Sequence, residues 1–121
     1  MIGLAIFLGG GIGAYLRFVI SCLAYKFFHY SIYGTFTVNI IGCFLIGFLF
    51  SLFLNKLNYV PQEFKMFLTV GFLGGLTTFS TFALESFDLI KNGKLLYSLL
   101  YIILSVVLGV FAIYLGYILN K

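Results

Sequence analysis

One stretch of the sequence, residues 71–82, combines glycines, hydroxyl side chains and two phenylalanines in the order GFLGGLTTFSTF. Adjacent glycines followed by threonines weaken a helix, and here they lie inside a segment apolar enough to cross a membrane. At that depth a broken backbone is stable only where protein buries it or where it lines a cavity. The stretch therefore predicts a helix break whose freed carbonyl oxygens can bind a cation, as in the discontinuous helices of transporters.

Phe79 and Phe82 are three residues apart and so lie on one face of a helix. Because the edge of an aromatic ring is positive, two rings presented edge-on attract an anion weakly and leave it free to move on. Thr77, Ser80 and Asn39 carry hydroxyl and amide donors that can replace the water an anion loses. This combination suits a small, hard anion. The alternative is chance, since sixteen phenylalanines in one hydrophobic chain will produce some pairs at this spacing.

Two polar residues interrupt the other apolar segments. Asn39 lies in the second segment, where its amide either lines a pore or joins two helices by a hydrogen bond worth about 1 kcal/mol. Arg17 lies in the first, roughly 12 Å from Lys26 at the helical rise, and a charge at that depth is costly unless it is paired or hydrated. Its guanidinium either snorkels to the lipid headgroups or stands in an aqueous vestibule where it concentrates anions.

Residues suited to catalysis or metal binding are sparse. The acidic residues all lie near the ends of apolar segments: Glu63, Glu85 and Asp88. His29 is the one histidine and lies in a loop, and no zinc-like grouping occurs. Cys22 and Cys43 sit in apolar segments without the close spacing of a metal site, which favours reduced packing residues. The pattern argues against an enzyme and implies no nucleotide or redox cofactor.

The run Gly9-Gly10-Gly11-Ile12-Gly13-Ala14 matches the dinucleotide-binding pattern GxGxxA, which requires a preceding strand and an acidic residue about 20 positions later. The sequence provides neither. Small residues four apart let membrane helices approach closely, and Gly71 and Gly75 repeat that spacing. We therefore expect the glycines of the first and third segments to serve helix packing.

The composition of the chain indicates in which kind of secondary structure these residues lie. Of 121 residues, 63% are hydrophobic and only 8% are charged, whereas about 25% of residues are charged in a typical soluble domain. A chain this short cannot bury so many apolar side chains in one core, so lipid must cover the remainder. Four segments are long enough to span a bilayer as helices, at about residues 2–25, 34–54, 64–84 and 95–119. The predicted fold is a single all-α membrane domain over residues 1–121, with four transmembrane helices and the third broken near its middle.

The basic residues favour neither orientation in the membrane. The lysines divide three to three between the two sides, with Lys26, Lys91 and Lys94 on one and Lys56, Lys65 and Lys121 on the other. Because Lys and Arg in short loops set orientation, this balance predicts dual topology and antiparallel dimers whose two-fold axis lies in the membrane plane. A single, weakly oriented topology is the alternative. The scattered positions also argue against nucleic acid as a partner, despite a formal net charge of +4.

Three blocks of the sequence resemble the Fluc (CrcB) family of fluoride channels. They are Gly9 to Phe18 with Gly-Ala-x-x-Arg, Gly34 to Gly42 with Val-Asn-x-x-Gly, and Gly71 to Glu85 with Gly-x-x-Gly-Gly-x-Thr-Thr-Phe-Ser-Thr-Phe. The match spans three of the four helices, and the third block is highly specific. The resemblance implies a passive, fluoride-selective channel in a bacterial plasma membrane, which exports fluoride accumulated from the influx of neutral HF. It also implies an antiparallel homodimer with two pores, each lined by both subunits.

The resemblance further assigns roles to individual residues. Asn39 would bind fluoride, Phe79 and Phe82 would form a phenylalanine box, and Ser80 would neighbour the ion path. Arg17 would stand at the vestibule.

The remaining roles implied by the resemblance concern the helix break and the fourth helix. The backbone carbonyls of Gly74 and Thr77 would hold a central structural sodium ion on the dimer axis. Tyr101 and Ser105, four residues apart, are expected to form a polar rail beside the phenylalanines. Gly109 lies where a further hydroxyl would continue that rail, so the sequence departs from a regular pattern there.

Two other functions remain open at this point. A small proton-coupled multidrug exporter, also a four-helix dimer, requires a carboxylate embedded in the membrane, and the first helix contains no acidic residue. A non-transporting membrane scaffold would use Asn39 and the glycines only for packing and would conduct no ions.

Dual topology leads to a labelling prediction. With Cys22 and Cys43 replaced by serine, a cysteine placed in the joint between the third and fourth helices should react with an impermeant thiol reagent added to either side of the membrane. Both orientations are inserted when the charge bias is absent. Labelling confined to one face would contradict the antiparallel arrangement.

Overall fold

The computed structural model describes residues 1–121 as an all-helical chain. Helices α1 (Ile2–Phe28), α2 (Ile32–Asn55) and α6 (Leu95–Ile118) are continuous. The third pass, Gln62–Lys91, is divided into shorter pieces. All four passes are long and apolar enough to cross a membrane, so the predicted number of transmembrane helices and the all-α class are confirmed.

The third pass contains the expected break. It consists of α3 (Gln62–Met66), a π-helical turn (Phe67–Leu73), α4 (Gly74–Leu76) and α5 (Ser80–Lys91). Between α4 and α5 the backbone leaves the helix, because Thr77 adopts an extended conformation with φ −83° and ψ 157°. The break therefore follows directly after the glycine pair, as the weak helix propensity of this stretch predicts.

The first three passes extend further than their hydrophobicity predicts, whereas α6 ends within one residue of its predicted bound. Helix α1 continues past Tyr25 to Phe28 and ends at His29, which adopts a left-handed conformation with φ 62°. The third pass continues past Leu84 to Lys91, so Glu85 lies in a helix and not in a polar joint. Hydropathy marks where side chains become polar, whereas a helix ends only where its last carbonyls find other partners.

Glycines let α1 and the third pass approach closely. A Cβ atom on Gly13 would collide with the carbonyl oxygen of Phe72 and lie 2.8 Å from the amide of Leu76. One on Gly75 would collide with the carbonyl of Gly10 and lie 3.0 Å from the amide of Ala14. Backbone packs directly on backbone along this seam, as predicted from the spacing of the glycines.

A second glycine seam joins α2 to α6, and sequence reasoning did not single it out. A Cβ atom on Gly47 would collide with the carbonyl oxygen of Ile113, and one on Gly116 with that of Phe44. These two glycines lie on different helices and carry no local motif, so only the packed structure pairs them. The two seams bring α1, the third pass, α2 and α6 together around the break.

Little of the chain is buried within one subunit. Only 20 of 121 residues are buried, and the central cluster of Val38, Leu73 and Leu76 lies beside the break. Most large apolar side chains of the four passes face outward. Lipid or a second protein surface must therefore cover them, because water cannot solvate so much apolar surface without cost.

Candidate ion pathway

Asn39 of α2 holds the broken segment by a two-point clamp. Its Nδ2 donates to the carbonyl oxygen of Thr78 at 3.0 Å, and the Thr78 amide donates to its Oδ1 at 2.8 Å. The side-chain amide thus replaces the helical partners that Thr78 loses at the break. An asparagine amide has two N–H donors, so one donor remains after the clamp has formed.

Arg17 of α1 holds the other side of the break. Its Nε donates to the carbonyl oxygen of Gly75 at 3.0 Å. This carbonyl belongs to α4, at the C-terminal end of the first half of the pass, where the helix dipole favours a positive charge. The guanidinium is partly buried and turned toward the protein, which accounts for an arginine in an apolar segment without exposing it to lipid.

Asn39 and Arg17 satisfy the carbonyls of Thr78 and Gly75, but the carbonyls of Gly74 and Thr77 also lose their helical partners at the break and accept no replacement bond. In an unbroken helix the Gly74 carbonyl would accept from the Thr78 amide, but that amide donates to Asn39. The Thr77 carbonyl would accept from the Thr81 amide, but that amide donates to the Thr78 hydroxyl at 3.2 Å. Both oxygens are therefore free to bind a hard cation, and the donor chemistry of Gly74 and Thr77 fits a sodium ion.

Three aromatic rings follow the break in a continuous row. The ring centroids of Phe79 and Phe82 are 5.8 Å apart with the planes tilted by 53°. The Phe82 and Tyr101 rings meet edge to face, with centroids 5.1 Å apart. Phe82 is 8% exposed, whereas Phe79 is 78% exposed. The row thus begins at an uncovered ring beside the break and continues inward to α6.

A cavity of about 550 Å³ joins most of the predicted site residues. Asn39, Gly74, Thr77, Phe79, Phe82 and Ser105 all line it. Ser80, the first residue of α5, is exposed at the start of that helix. Arg17, Ser80 and Tyr101 do not line this cavity, although Arg17 bonds to the adjoining break and Tyr101 to the aromatic row.

The two predicted rail residues on α6 differ in their hydrogen bonds. Ser105 lies one turn from Tyr101, and its Oγ is buried without a protein partner. The Tyr101 hydroxyl, in contrast, donates its proton to Glu85 at 2.8 Å. Gly109 continues the same face beside Cys43, where a Cβ atom would meet the Cys43 Sγ at 3.5 Å. Ser105 is therefore the residue of the rail whose hydroxyl proton is free.

Glu85 adjoins the candidate site, although sequence reasoning assigned this residue no role beyond the end of the third block. Its carboxylate accepts hydrogen bonds from the hydroxyls of Tyr101 and Thr35 at 2.8 Å each and from Ser31 at 3.0 Å. Thr35 is only 1% exposed, so this cluster ties α2, α5 and α6 together beyond the aromatic row. The signal was present in the spacing, because Phe79, Phe82 and Glu85 recur every three residues along one helical face.

The arrangement offers an anion a series of weak, neutral partners. Asn39, Phe79, Phe82 and Ser105 all line the same cavity, and none of these side chains carries a charge. No group of three or more His, Cys, Asp or Glu residues comes together anywhere in the chain. The chemistry that this site can perform is solvation of an ion by donors and ring edges.

Comparison with known proteins gives a consistent picture. The sequence matches the family described as "CrcB-like protein, Camphor Resistance (CrcB)" over residues 4–117. It is 45% identical over 118 residues to a protein of Aquifex aeolicus named "Fluoride-specific ion channel FluC", covering 97% of this chain and 94% of the relative. Proteins with the same name from Azobacteroides pseudotrichonymphae and Campylobacter jejuni are 45% identical over 116 residues and 46% identical over 114 residues. These matches cover 94% and 93% of this chain, and 91% and 92% of the relatives.

The clamp on the break can be tested by substitution. Replacing Asn39 with leucine should destabilise the protein by roughly 1–3 kcal/mol for each buried backbone group of Thr78 left without a partner. The Thr78 amide should also exchange its hydrogen faster. Thermal unfolding in detergent micelles and hydrogen exchange measure the two effects.

Thr37→Val provides the matched control on the same helix, because the exposed Thr37 hydroxyl bonds only the carbonyl of Tyr33 one turn earlier. Equal stability of Asn39→Leu and the control would contradict the clamp.

Proposed function

This chain belongs to the CrcB family, whose relatives described above are named fluoride-specific ion channels, and on that premise we propose that it conducts fluoride along the row of residues that leads from the helix break to α6. The protein is a channel and not an enzyme, and its four apolar passes make it a multi-pass membrane protein of a bacterial cell. The observation that carries the residue-level proposal is the shared cavity of Asn39, Phe79, Phe82 and Ser105.

Fluoride is small and strongly hydrated, so a pathway must replace its water without holding it tightly. The remaining N–H of Asn39 and the free hydroxyl of Ser105 supply conventional hydrogen-bond donors. Between them, the edges of Phe79 and Phe82 supply weak electrostatic attraction. An ion that passes along this row loses its hydration in steps, and none of the four residues that it contacts there carries a positive charge that would hold it.

Arg17 and Ser80 act at the end of the row nearer the break. Arg17 is bonded to Gly75 through Nε, and its positive charge favours anions close to the break. Ser80 is exposed at the first turn of α5, where the N-terminal end of the helix dipole also favours a negative ion. Tyr101 and Glu85 border the far end, where the Tyr101 hydroxyl is bonded to the carboxylate.

A second copy of the chain completes the pathway in this proposal. Phe79 is 78% exposed. If its ring lies beside a conduction path, another protein surface must cover its exposed side so that the path is closed to lipid. The three-to-three division of lysines supports an antiparallel copy as that surface. A two-fold axis then produces two equivalent pathways in a homodimer, each lined by residues of both subunits.

A structural sodium ion fits the free carbonyls of Gly74 and Thr77. The chain contributes two neutral oxygens beside the break, and a two-fold axis through this region would double that number. Bound sodium would satisfy carbonyl groups that membrane burial otherwise leaves without partners. We assign it a structural role, because it would hold together the segments from which the phenylalanines project.

Fluoride efflux from liposomes tests the proposed function. Liposomes containing the purified protein, with a fluoride electrode outside and chloride followed in parallel, should release fluoride rapidly and retain chloride. Phe79→Ile and Phe82→Ile should each reduce efflux to the level of protein-free liposomes, because isoleucine keeps apolar bulk but has no positive ring edge. Phe87→Ile, on the outer side of the same helix, should conduct like the unmodified chain.

The possible results separate the competing functions. No fluoride release from well-folded protein would favour the non-transporting scaffold. Release driven by a proton gradient and accompanied by export of a cationic drug would favour the multidrug exporter. Unchanged flux in both phenylalanine variants would overturn the ring-edge mechanism while leaving a channel in place.

Removal of sodium should lower stability without any need to measure flux. A ligand that binds only the folded state contributes about 2.7 kcal/mol when present at 100 times its dissociation constant. The thermal unfolding temperature should therefore be higher in sodium chloride than in N-methyl-D-glucamine chloride at equal ionic strength. Identical unfolding curves in the two salts would contradict the sodium site.

A further inference from the structure

Two cavities open side by side beyond the contact between Tyr101 and Glu85. The first, which we call the tyrosine passage, has a volume of about 440 Å³, and its lining includes Tyr30, Tyr33, Tyr97, Tyr101 and Lys94. The second, which we call the acidic cavity, has a volume of about 340 Å³, and its lining includes Glu85 and Asp88. Both lie where the joint before α2 meets the joint before α6. Tyr101, the last ring of the aromatic row, lines the tyrosine passage, and Glu85, which accepts a hydrogen bond from Tyr101, lines the acidic cavity.

The two cavities differ in the charges that line them. Lys94 is the one charged residue among those that line the tyrosine passage. The acidic cavity is also bordered by Lys94, but the carboxylates of Glu85 and Asp88 face it together with His29. Lys94 borders both routes and Glu85 lies beside the inner end of both through its bond to Tyr101, so the routes differ by Asp88, and a small anion meets one carboxylate fewer in the tyrosine passage.

Lys94 is held at its position by the backbone on both sides. Its amide donates to the carbonyl of Leu89 at 2.8 Å, and its carbonyl accepts from the amide of Ser98 at 3.0 Å. The neighbouring Gly93 has φ 76°, which turns the chain into α6. The side chain itself is exposed, so a fixed backbone presents a hydrated ammonium group at the mouth of the passage.

The tyrosines give the passage a preformed wall with polar tips. The Tyr30 and Tyr33 rings meet edge to face, with centroids 6.4 Å apart and planes at 75°, and Tyr33 also packs against Phe28 with centroids 5.2 Å apart. Tyr97 lies one turn before Tyr101 on α6 and is 66% exposed. Hydroxyl groups of this kind donate hydrogen bonds to an anion, and Tyr101 links them to the aromatic row through its contact with Phe82.

We propose that the tyrosine passage is the outer mouth of the fluoride pathway and that Lys94 draws the anion into it. This inference rests on the proposed channel function and adds a route and a residue to it. Lys94 binds no ion permanently, because its exposed ammonium stays hydrated. It raises the local concentration of anions next to Tyr101 and thereby raises the rate at which they enter the row.

The test compares two lysines of the same turn. Lys94→Gln and Lys94→Glu are measured beside Lys91→Gln and Lys91→Glu, because Lys91 is exposed in the last turn of α5 and lines neither cavity. Fluoride efflux from liposomes is recorded at roughly 10 mM and 1 M of an impermeant salt, where the screening length falls from about 30 Å to about 3 Å.

At low salt Lys94→Glu should lower fluoride flux by about threefold to tenfold, with a smaller loss for Lys94→Gln, and both should approach the unmodified chain at high salt. The Lys91 variants should conduct normally. Tyr97→Phe, which removes one hydroxyl and keeps the ring, should lower flux at both salt concentrations.

Several results would overturn the proposal. Unchanged flux in both Lys94 variants at low salt would remove Lys94 from the route, and equal losses in the Lys91 variants would reduce the effect to general surface charge. A gain in Asp88→Asn that exceeds the loss in Lys94→Gln would assign the route to the acidic cavity. Absence of flux in the unmodified chain would instead refute the channel function itself, so the two failures are distinguishable.

Discussion

A backbone that leaves its helix inside a membrane must find other hydrogen-bond partners, and the remaining features of this protein depend on how that requirement is met. Two side chains from neighbouring helices supply hydrogen-bond partners for this backbone. Asn39 forms hydrogen bonds with both the amide and the carbonyl of Thr78, and Arg17 donates a hydrogen bond to the carbonyl of Gly75. Without them, several unsatisfied groups would face hydrocarbon, each at a cost of several kcal/mol.

The break has consequences for the side chains on either side of it. Because α5 starts anew at Ser80, the ring of Phe82 meets Tyr101 of α6, and the exposed ring of Phe79 packs against Phe82. The same interruption frees the carbonyls of Gly74 and Thr77. One backbone event therefore creates a site suited to a cation and a row suited to an anion, which matches the opposite dipole ends of two half-helices.

The sequence predicted those features that depend on local composition. The length of the apolar segments predicted four helices, and the adjacent glycines of the third segment predicted the break. The spacing of Gly9 and Gly13 predicted a close contact between two helices. Partners distant in sequence were not predictable, since nothing local pairs Arg17 with Gly75 or Gly47 with Ile113.

Glu85 illustrates the same limit. A carboxylate near the end of an apolar segment has the composition of a loop, and its place in the site follows only from the distant hydroxyls of Thr35 and Tyr101. Hydropathy is an average over residues that are adjacent in the sequence. A hydrogen bond between helices joins residues that are distant in the sequence, so the average carries no information about it. The bounds predicted for the first three passes were too short for the same reason.

Both side chains that hold the break belong to the same chain as the break itself. The chain can therefore complete its broken helix as it folds, without a contribution from a second copy. If the gene were duplicated, one copy of the dimer that we propose could change Phe79 and still fold, because that ring is 78% exposed and takes no part in the clamp. In the proposed pathway Asn39 serves both the clamp and the ion, so it must be kept, and divergence between two copies would fall on the exposed ring of Phe79.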